Sequence, residues 1–252
     1  MMNPRIGDWQ GRRVWLVGAS TGIGAALARE LSQRGARLAL SSRRAARLAA
    51  LGIEDALLLP CDVTATASLA AAHAQLTEAW GGIDLVVYLA GDYQPMQADG
   101  FDLEKAEQVV ATNFGGALKL AAAVLPRLAP GAGIAFVASV AGYRGLPKAL
   151  AYGPGKAALI HFAECLHLEL APRGIGVWVI NPGFVATRLT AKNDFAMPAL
   201  LTPEQAAGEI VAGFRSGRFE IHFPKRFTRI MKLLAHLPYA WSFPLIRRFT
   251  GT

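Results

Sequence analysis

Short apolar runs alternate with longer amphipathic stretches along most of the chain. The short runs predict six β-strands, at 14–17, 37–41, 56–59, 85–89, 133–138 and 176–180. The longer stretches predict helices at 23–34, 68–80, 104–128 and 154–170. A further helix is predicted after Thr202, because Thr can cap it, Pro203 suits its first position and Gln205 can close a capping box.

This alternation of strand and helix predicts an α/β fold. Strands that are apolar on both faces are typical of a parallel sheet covered by helices on both sides. We therefore expect a single domain built on a Rossmann-like, doubly wound parallel sheet. Ligands bind such sheets at the carboxyl ends of the strands, so functional residues are expected in the loops that follow them.

Composition agrees with one folded domain. Of the 252 residues, 53% are apolar and 17% are charged, which excludes global disorder. Cys61 and Cys165 are the two cysteines, and neither lies in a Cys-x-x-Cys or Cys/His cluster, so we expect no disulfide framework and no metal site. Residues 1–10 lack the features of a signal peptide, and no uninterrupted apolar stretch reaches the roughly 20 residues that span a bilayer. A cytoplasmic protein is expected.

The net charge of +8 is concentrated near the C-terminus. Residues 215–252 contain eight Lys or Arg residues and one acid, Glu220, so this segment carries +7. We therefore divide the chain into a main domain at 1–214 and a basic, aromatic-rich extension at 215–252. The main domain has no basic stripe or nucleic-acid-binding motif, so nucleic acid is not an expected partner.

A glycine-rich turn follows the first predicted strand. Gly18, Gly22 and Gly24 lie in the stretch GASTGIG, directly before the first predicted helix. Glycines here let the backbone approach a pyrophosphate, whose charge is met by free N–H groups at the helix N-terminus. The position between strand and helix favours dinucleotide binding over a glycine-rich turn without a ligand.

The end of the second predicted strand indicates which dinucleotide binds. An acid there accepts hydrogen bonds from a ribose 2′-hydroxyl, whereas an arginine pairs with a 2′-phosphate. This chain has Ser42 and Arg43 at that point and no acid. Arg43 therefore predicts NADP(H). The alternative, a solvated basic start to the next helix, explains Arg44 and Arg47 better than Arg43.

A tyrosine and a lysine lie four positions apart at the start of a predicted helix. Tyr152 and Lys156 share one helical face, and a lysine charge there stabilises a phenolate. Ser139 ends a strand thirteen residues before the tyrosine and can hydrogen-bond a substrate oxygen beside it. A Tyr-x-x-x-Lys spacing is common by chance in amphipathic helices. Its combination with the serine and the glycine-rich turn favours proton-transfer chemistry.

Together these motifs resemble the classical short-chain dehydrogenase/reductase (SDR) family over residues 13–214. The resemblance implies an enzyme that interconverts a carbonyl and a secondary alcohol, with a catalytic tetrad of Asn113, Ser139, Tyr152 and Lys156. It further implies that Asp62 bonds the adenine amino group, that Lys156 bonds the nicotinamide ribose and that Asn113 holds a water. The full set of cofactor-binding residues that we expect is Gly18, Ser20, Thr21, Gly22, Ile23, Gly24, Arg43, Asp62, Val63, Ala90, Gly91, Asn113, Tyr152, Lys156, Pro182, Gly183, Val185 and Thr187.

The chain departs from the family pattern at two places. The usual Asn-Asn-Ala-Gly after the fourth strand is Tyr88-Leu89-Ala90-Gly91, so a polar group that supports the central strand is missing. Pro154 and Gly155 precede the lysine where Ala-Ser is common. Neither change touches the tetrad. A non-catalytic NADP(H)-sensing protein is the alternative function, but it would not need all four tetrad residues.

Two further segments bear on substrate and partners. The mostly apolar segment 188–201 should cover the pocket, which suggests a lipophilic or acyl substrate; alternatively it only packs on the body.

The resemblance implies a homo-oligomer, a dimer or tetramer packed through the helices at 104–128 and 154–170. At 223–252, basic and aromatic residues mix as in a peripheral membrane segment, and Pro238 and Pro244 are expected to divide it. Packing on its own or a neighbouring subunit is the alternative.

Overall fold

The computed structural model describes residues 2–251 and has a seven-stranded sheet at its centre. All six neighbouring pairs are parallel, in the order β3-β2-β1-β4-β5-β6-β7. The strands are β1 Arg13–Val17, β2 Arg37–Ser41, β3 Leu57–Leu58, β4 Leu85–Tyr88, β5 Gly133–Val137, β6 Gly176–Pro182 and β7 Glu220–Phe223. Strand order reverses between β1 and β4, so the loops after these strands open a crevice at the carboxyl edge of the sheet.

Helices cover both faces of the sheet. They are α1 Gly22–Gln33, α2 Ala45–Ala49, α3 Thr66–Trp80, α4 Leu103–Val110, α5 Gly116–Val124, α6 Tyr152–Leu170, α7 Pro203–Ser216, α8 Lys225–His236 and α9 Tyr239–Thr250. Alternate strand residues point to opposite faces, so Val14 and Leu16 join a core under α1 and α7. Trp15 and Val17 join the core under α3, α5 and α6. The predicted doubly wound fold is confirmed.

The predicted elements agree with the structure except in detail. The third strand is two residues long instead of four, and α6 begins at Tyr152, two residues before its predicted start. The helix predicted at 104–128 contains a π-helical turn at Ala111–Gly115 between α4 and α5. The capping box of α7 is present, with Thr202 and Gln205 bonding each other's backbone N–H groups.

The C-terminal part differs most from expectation. Residues 215–223 complete α7 and form β7, which pairs with β6, so the part outside the sheet begins with α8. Pro238 separates α8 from α9 as predicted. The prediction that Pro244 also divides the segment was wrong, because Pro244 lies inside α9. A proline removes one helical hydrogen bond, and α9 forms in spite of that loss.

The stretch Leu103–Arg127, 25 residues that include α4 and α5, is long and apolar enough to cross a membrane by length and composition. In the fold its apolar side packs on the sheet, where Ala117, Leu120 and Val124 are buried. This stretch also carries Asn113 to the carboxyl edge of the sheet.

Candidate active site

The glycine-rich turn makes a close backbone approach that only glycine permits. Gly18 has φ +103°, and a Cβ there would lie 2.4 Å from the backbone nitrogen of Ala90. A Cβ on Gly24 would lie 2.3 Å from the carbonyl oxygen of Gly18. Helix α1 begins at Gly22 with no side-chain cap from Thr21 and no acid in its first turn. Its N-terminal amides are therefore available to an anion, and the turn fits a dinucleotide pyrophosphate.

Arginines line the cleft beyond the end of β2. Arg43, Arg44 and Arg47 all face it, so the structure adds two arginines to the one predicted. Asp62 lines the same cleft after β3 and accepts hydrogen bonds from the backbone N–H (2.9 Å) and hydroxyl (2.7 Å) of Thr64. These bonds, and more weakly the charge of Arg43, lower the pKa of Asp62.

Asn113 reaches the site from the π-helical turn. Its side chain pairs with the backbone of Asp92: Oδ1 accepts from the N–H at 3.0 Å and Nδ2 donates to the carbonyl at 2.8 Å. A Cβ on Gly91 would lie 3.1 Å from Asn113 Oδ1 and 3.7 Å from Lys156 Nζ. The side chains of Asn113 and Lys156 therefore meet at Gly91, and Asn113 fixes the loop after β4.

Ser139, Tyr152 and Lys156 line one end of the same cleft. Lys156 is buried, and its Nζ donates to the carbonyl oxygen of Val137 at 2.8 Å while lying 5.7 Å from the centre of the Tyr152 ring. Burial lowers the pKa of Lys156 to about 7. Burial raises the pKa of Tyr152 to about 12, and the hydroxyl of Ser139 opposes that rise. At neutral pH the phenol holds its proton and the lysine titrates.

Tyr88 supplies the polar group that the family pattern places at the end of β4 as an asparagine. Tyr88 is fully buried, and its hydroxyl donates to the carbonyl oxygen of Thr112, next to Asn113 in the π-helical turn. A Cβ on Gly116 would lie 2.2 Å from that hydroxyl, so the glycine makes room for it. The expectation that this strand lacks a polar support was therefore wrong. The bond ties β4 directly to the turn that carries Asn113.

The Pro-Gly turn after β6 completes the cleft. Pro182, Gly183, Val185 and Thr187, which are expected to bind the cofactor, all line it. The segment at 188–201 continues from this turn and is tied back at its far end by hydrogen bonds of Leu201 with Phe184 and Ala186. Lys192 Nζ donates to the carbonyl of Tyr93 at 2.6 Å, which holds the segment over the loop after β4.

Some residues of the cleft had no clear sequence signal. Beside the cleft, Tyr93 packs edge-on against Tyr152 with ring centres 5.1 Å apart, and it belongs to no motif. Thr112, Arg188, Leu189 and Thr190 line the cleft itself. These four residues could have been predicted only from their positions next to Asn113 and Thr187 in the sequence.

Comparison with known proteins supports a family assignment. A sequence profile of the short chain dehydrogenase family matches residues 12–197. An uncharacterized oxidoreductase of Myxococcus xanthus is 37% identical over 235 residues, which are 88% of this chain and 92% of that protein. The ketoacyl reductase HetN of Nostoc is 30% identical, over 84% of this chain and 78% of that protein.

A solved structure shows the same fold. It is a short chain dehydrogenase from Burkholderia cenocepacia in complex with NADP, with a TM-score of 0.77 and 26% sequence identity. The match covers 86% of this chain and 96% of that chain.

Proposed function

The chain belongs to the short-chain dehydrogenase family of oxidoreductases, and on that premise we propose that it is an NADP(H)-dependent enzyme that interconverts a carbonyl and a secondary alcohol. The observation that carries this proposal is one cleft lined together by the glycine-rich turn, the three arginines beyond β2, and the side chains of Ser139, Tyr152 and Lys156. A protein that only sensed NADP(H) would have no use for those three side chains beside the cofactor.

The residues present fit NADP(H) as the cofactor. The turn from Gly18 to Gly24 and the uncapped start of α1 would hold the pyrophosphate. Arg43, with Arg44 and Arg47 beside it, would pair with the 2′-phosphate, for which a planar guanidinium gives a charge-assisted, bidentate contact. The Burkholderia cenocepacia structure is a complex with NADP, which also favours this cofactor.

The chemistry that we propose divides between cofactor and protein. When bound, the reduced nicotinamide supplies a hydride. Ser139 and Tyr152 hydrogen-bond the carbonyl oxygen of the substrate, and Tyr152 donates its proton as negative charge develops there. A phenol with a pKa of about 12 carries that proton throughout the neutral range. Positioned acid catalysis of this kind contributes about 10²–10⁴ in rate.

Lys156 restores the proton of Tyr152 in this proposal. Its pKa of about 7 means that it both accepts and releases a proton near neutral pH. Its Nζ donates to the carbonyl of Val137, and the side chain of Asn113 approaches the same side of Gly91 as Nζ does. Asn113 acts as a positioning residue, because both ends of its amide are used to hold the backbone of Asp92.

The substrate that we propose is lipophilic or carries an acyl chain. Tyr93 presents its ring beside Tyr152, and Phe184 packs against Phe195 of the covering segment with ring centres 5.9 Å apart. Apolar and aromatic groups around a few polar atoms are typical of small-molecule pockets. The relative HetN is named a ketoacyl reductase, which agrees with an acyl substrate.

We also propose that the enzyme is a homo-oligomer packed through the helical layer formed by α4, α5 and α6. Leu103, Leu118 and Leu168 are exposed large apolar residues on these helices. Their burial against a second copy would remove apolar surface from water. Mass measurement in solution, with Leu118→Glu and Leu168→Glu combined in one variant, tests this: an oligomer should dissociate.

Substrate screening tests the proposed function. Loss of NADPH absorbance is followed with a panel of ketones, aldehydes and 3-oxoacyl thioesters, and binding of NADPH and NADH is measured separately. Turnover of at least one lipophilic carbonyl, with tighter binding of NADPH than of NADH, is expected. Tight NADPH binding without turnover of any panel member would favour the cofactor-sensing alternative.

A further inference from the structure

Helices α8 and α9 follow β7 and lie outside the sheet, and α8 packs beside the candidate active site. Met231 and Leu234 of α8 bury against Val140, one residue after Ser139. The ring of Phe227 packs closely on Gly183, which lines the cleft. A Cβ added to Gly183 would lie 2.8 Å from a ring carbon of Phe227. The inner side of α8 thus contacts two of the turns that form the cleft.

Polar contacts fix α8 and the start of α9 in this place. Glu220 at the start of β7 binds Lys232 of α8, the hydroxyl of Tyr143 and, at 2.8 Å, the amide of Asn181. Arg144 donates to the carbonyl oxygen of Leu237 at 2.8 Å, where α8 ends. The guanidinium of Arg144 also lies 4.6 Å from the centre of the Tyr239 ring, where α9 begins.

The outer side of α8 is apolar and cationic. Arg226, Arg229, Ile230 and Leu233 follow the i, i+3, i+4, i+7 spacing of one helical face, and all four are exposed. Leu233 is 64% exposed. The opposite face, with Thr228, Met231 and Leu234, is buried. Helix α8 therefore presents an outer stripe in which cations and large apolar side chains share one face.

The outer side of α9 has the same character and is more aromatic. Trp241, Leu245, Arg248 and Phe249 lie along one exposed stripe of the helix, and Trp241 is 65% and Phe249 74% exposed. The described buried residues of α9 are Ser242 and Ile246. No acid follows Glu220 in the sequence, so no carboxylate on either helix offsets these cations.

We propose that this outer surface of α8 and α9 docks on an anionic membrane surface. Exposed aromatic and aliphatic side chains enter the boundary between headgroups and acyl chains, and arginines beside them meet anionic headgroups. A second copy of the chain is a less favourable partner for this surface. In a twofold-symmetric contact the arginines of the two copies would face each other and repel, because neither helix carries an acid to pair with them. Docking would leave only α8 between the turn at Ser139 and the bilayer, a separation of one helix diameter, roughly 10 Å.

Co-sedimentation of the full-length protein with vesicles tests the docking surface. Vesicles of phosphatidylcholine with an equal part of phosphatidylglycerol are compared with pure phosphatidylcholine, each at low and high salt. The protein should sediment with the anionic vesicles, weakly with the neutral ones, and less at high salt. The variant with Arg226→Gln, Arg229→Gln and Arg248→Gln should bind anionic vesicles on the order of 100-fold more weakly, since each cation near the surface contributes about fivefold.

Matched control variants show whether binding depends on these positions of α8 and α9 or only on the protein's net charge and exposed apolar area. The variant with Arg29→Gln, Arg127→Gln and Arg173→Gln loses the same charge at other exposed positions and should keep most of the affinity. Trp241→Ser with Phe249→Ser should abolish binding, whereas Met2→Ser with Phe101→Ser, at exposed apolar positions elsewhere, should not.

These measurements need no turnover, so their result is independent of the proposed catalytic function. Absence of binding to anionic vesicles, or binding that the α8 and α9 variants leave unchanged, overturns the docking proposal. A change of oligomer mass in the Trp241 and Phe249 variant, without vesicle binding by the wild type, shows instead that a second copy covers this surface.

Discussion

The hydroxyl of Tyr88 donates a hydrogen bond to the carbonyl oxygen of Thr112, across 24 residues of sequence. The bond joins the end of β4 to the π-helical turn that carries Asn113. Within that turn the N–H of Gly116 bonds the carbonyl of Ala111, five residues earlier. π-helical turns of this kind are frequent at functional sites. Here the turn displays Asn113 at the cleft, and the tyrosine fixes it from the sheet.

Tyr88→Phe should destabilise the protein and reduce turnover moderately. Removal of the hydroxyl leaves the carbonyl of Thr112 without this donor, which costs about 1–3 kcal/mol in the free energy of unfolding. Chemical denaturation measures the loss, and kcat should fall while the KM for NADPH changes little, because the substitution keeps the buried ring and removes only the hydroxyl that bonds the carbonyl of Thr112. An unchanged kcat together with the stability loss would make the bond purely structural.

A double-mutant cycle between Tyr88 and Gly116 tests the same contact from the other side. Gly116→Ala places a Cβ 2.2 Å from the tyrosine hydroxyl, so it should be strongly destabilising alone. In the Tyr88→Phe background that contact is gone, so the double variant should be more stable than the sum of the two single losses predicts. Additive losses would show that the hydroxyl is not what requires glycine at this position.

Arg43→Ala should weaken binding of NADPH much more than binding of NADH, because only NADPH carries the 2′-phosphate. Loss of one charge-assisted pair costs about 1.5–3 kcal/mol, or roughly 10- to 150-fold in Kd. Calorimetric titration with each cofactor measures this, and Arg29→Ala, on the exposed side of α1, serves as the control. Equal weakening of both cofactors would mean that the residue supports the loop and does not select the cofactor.

The stability of the cofactor-free protein should rise with pH above about 7. Burial lowers the pKa of Lys156 to about 7 from an ordinary value of 10.5, so between these values the unfolded chain binds a proton that the folded chain does not. The free energy of unfolding then increases by up to about 1.4 kcal/mol per pH unit. Below pH 7 the lysine is charged in both states and this dependence ends.

Lys156→Met is the matched variant for this pH dependence. It keeps a long side chain without a titrating group, so its unfolding free energy should lack the rise that the wild type shows between pH 7 and 10. Profiles of the two proteins that run parallel throughout this range would contradict a buried lysine with a lowered pKa.

The fold could be predicted from the sequence because its strands are buried on both faces. Val14 to Val17 and Leu85 to Tyr88 are continuous apolar runs, and the parallel sheet follows from their alternation with helices. The edge strand β7 was missed because Glu220–Phe223 has only four residues, too few for its polar–apolar alternation to stand out, and it lacks the continuous apolar run of the other strands. Pro244 suggested a break in α9 that the helix does not have.

Much of the candidate site could also be predicted, since its motifs follow strands directly. All the site residues expected from the sequence line the cleft, except Asn113. Asn113 lies at Gly91 and bonds the backbone of Asp92, so it supports the loop that borders the cleft. Contacts between distant segments could not be predicted. The bond of Tyr88 to Thr112 and the packing of Tyr93 on Tyr152 depend on how loops meet in space, and no local pattern encodes that.

The substitution Tyr152→Phe tests whether this cleft reduces carbonyls with Tyr152 as the proton donor. The substitution keeps the ring that packs against Tyr93 and removes only the hydroxyl. NADPH consumption with the best substrate of the panel is measured together with NADPH affinity for both proteins. We expect turnover to fall by at least about 100-fold, the lower end of what positioned acid catalysis contributes, while NADPH affinity stays nearly unchanged. Turnover within tenfold of the wild type would contradict this role of Tyr152.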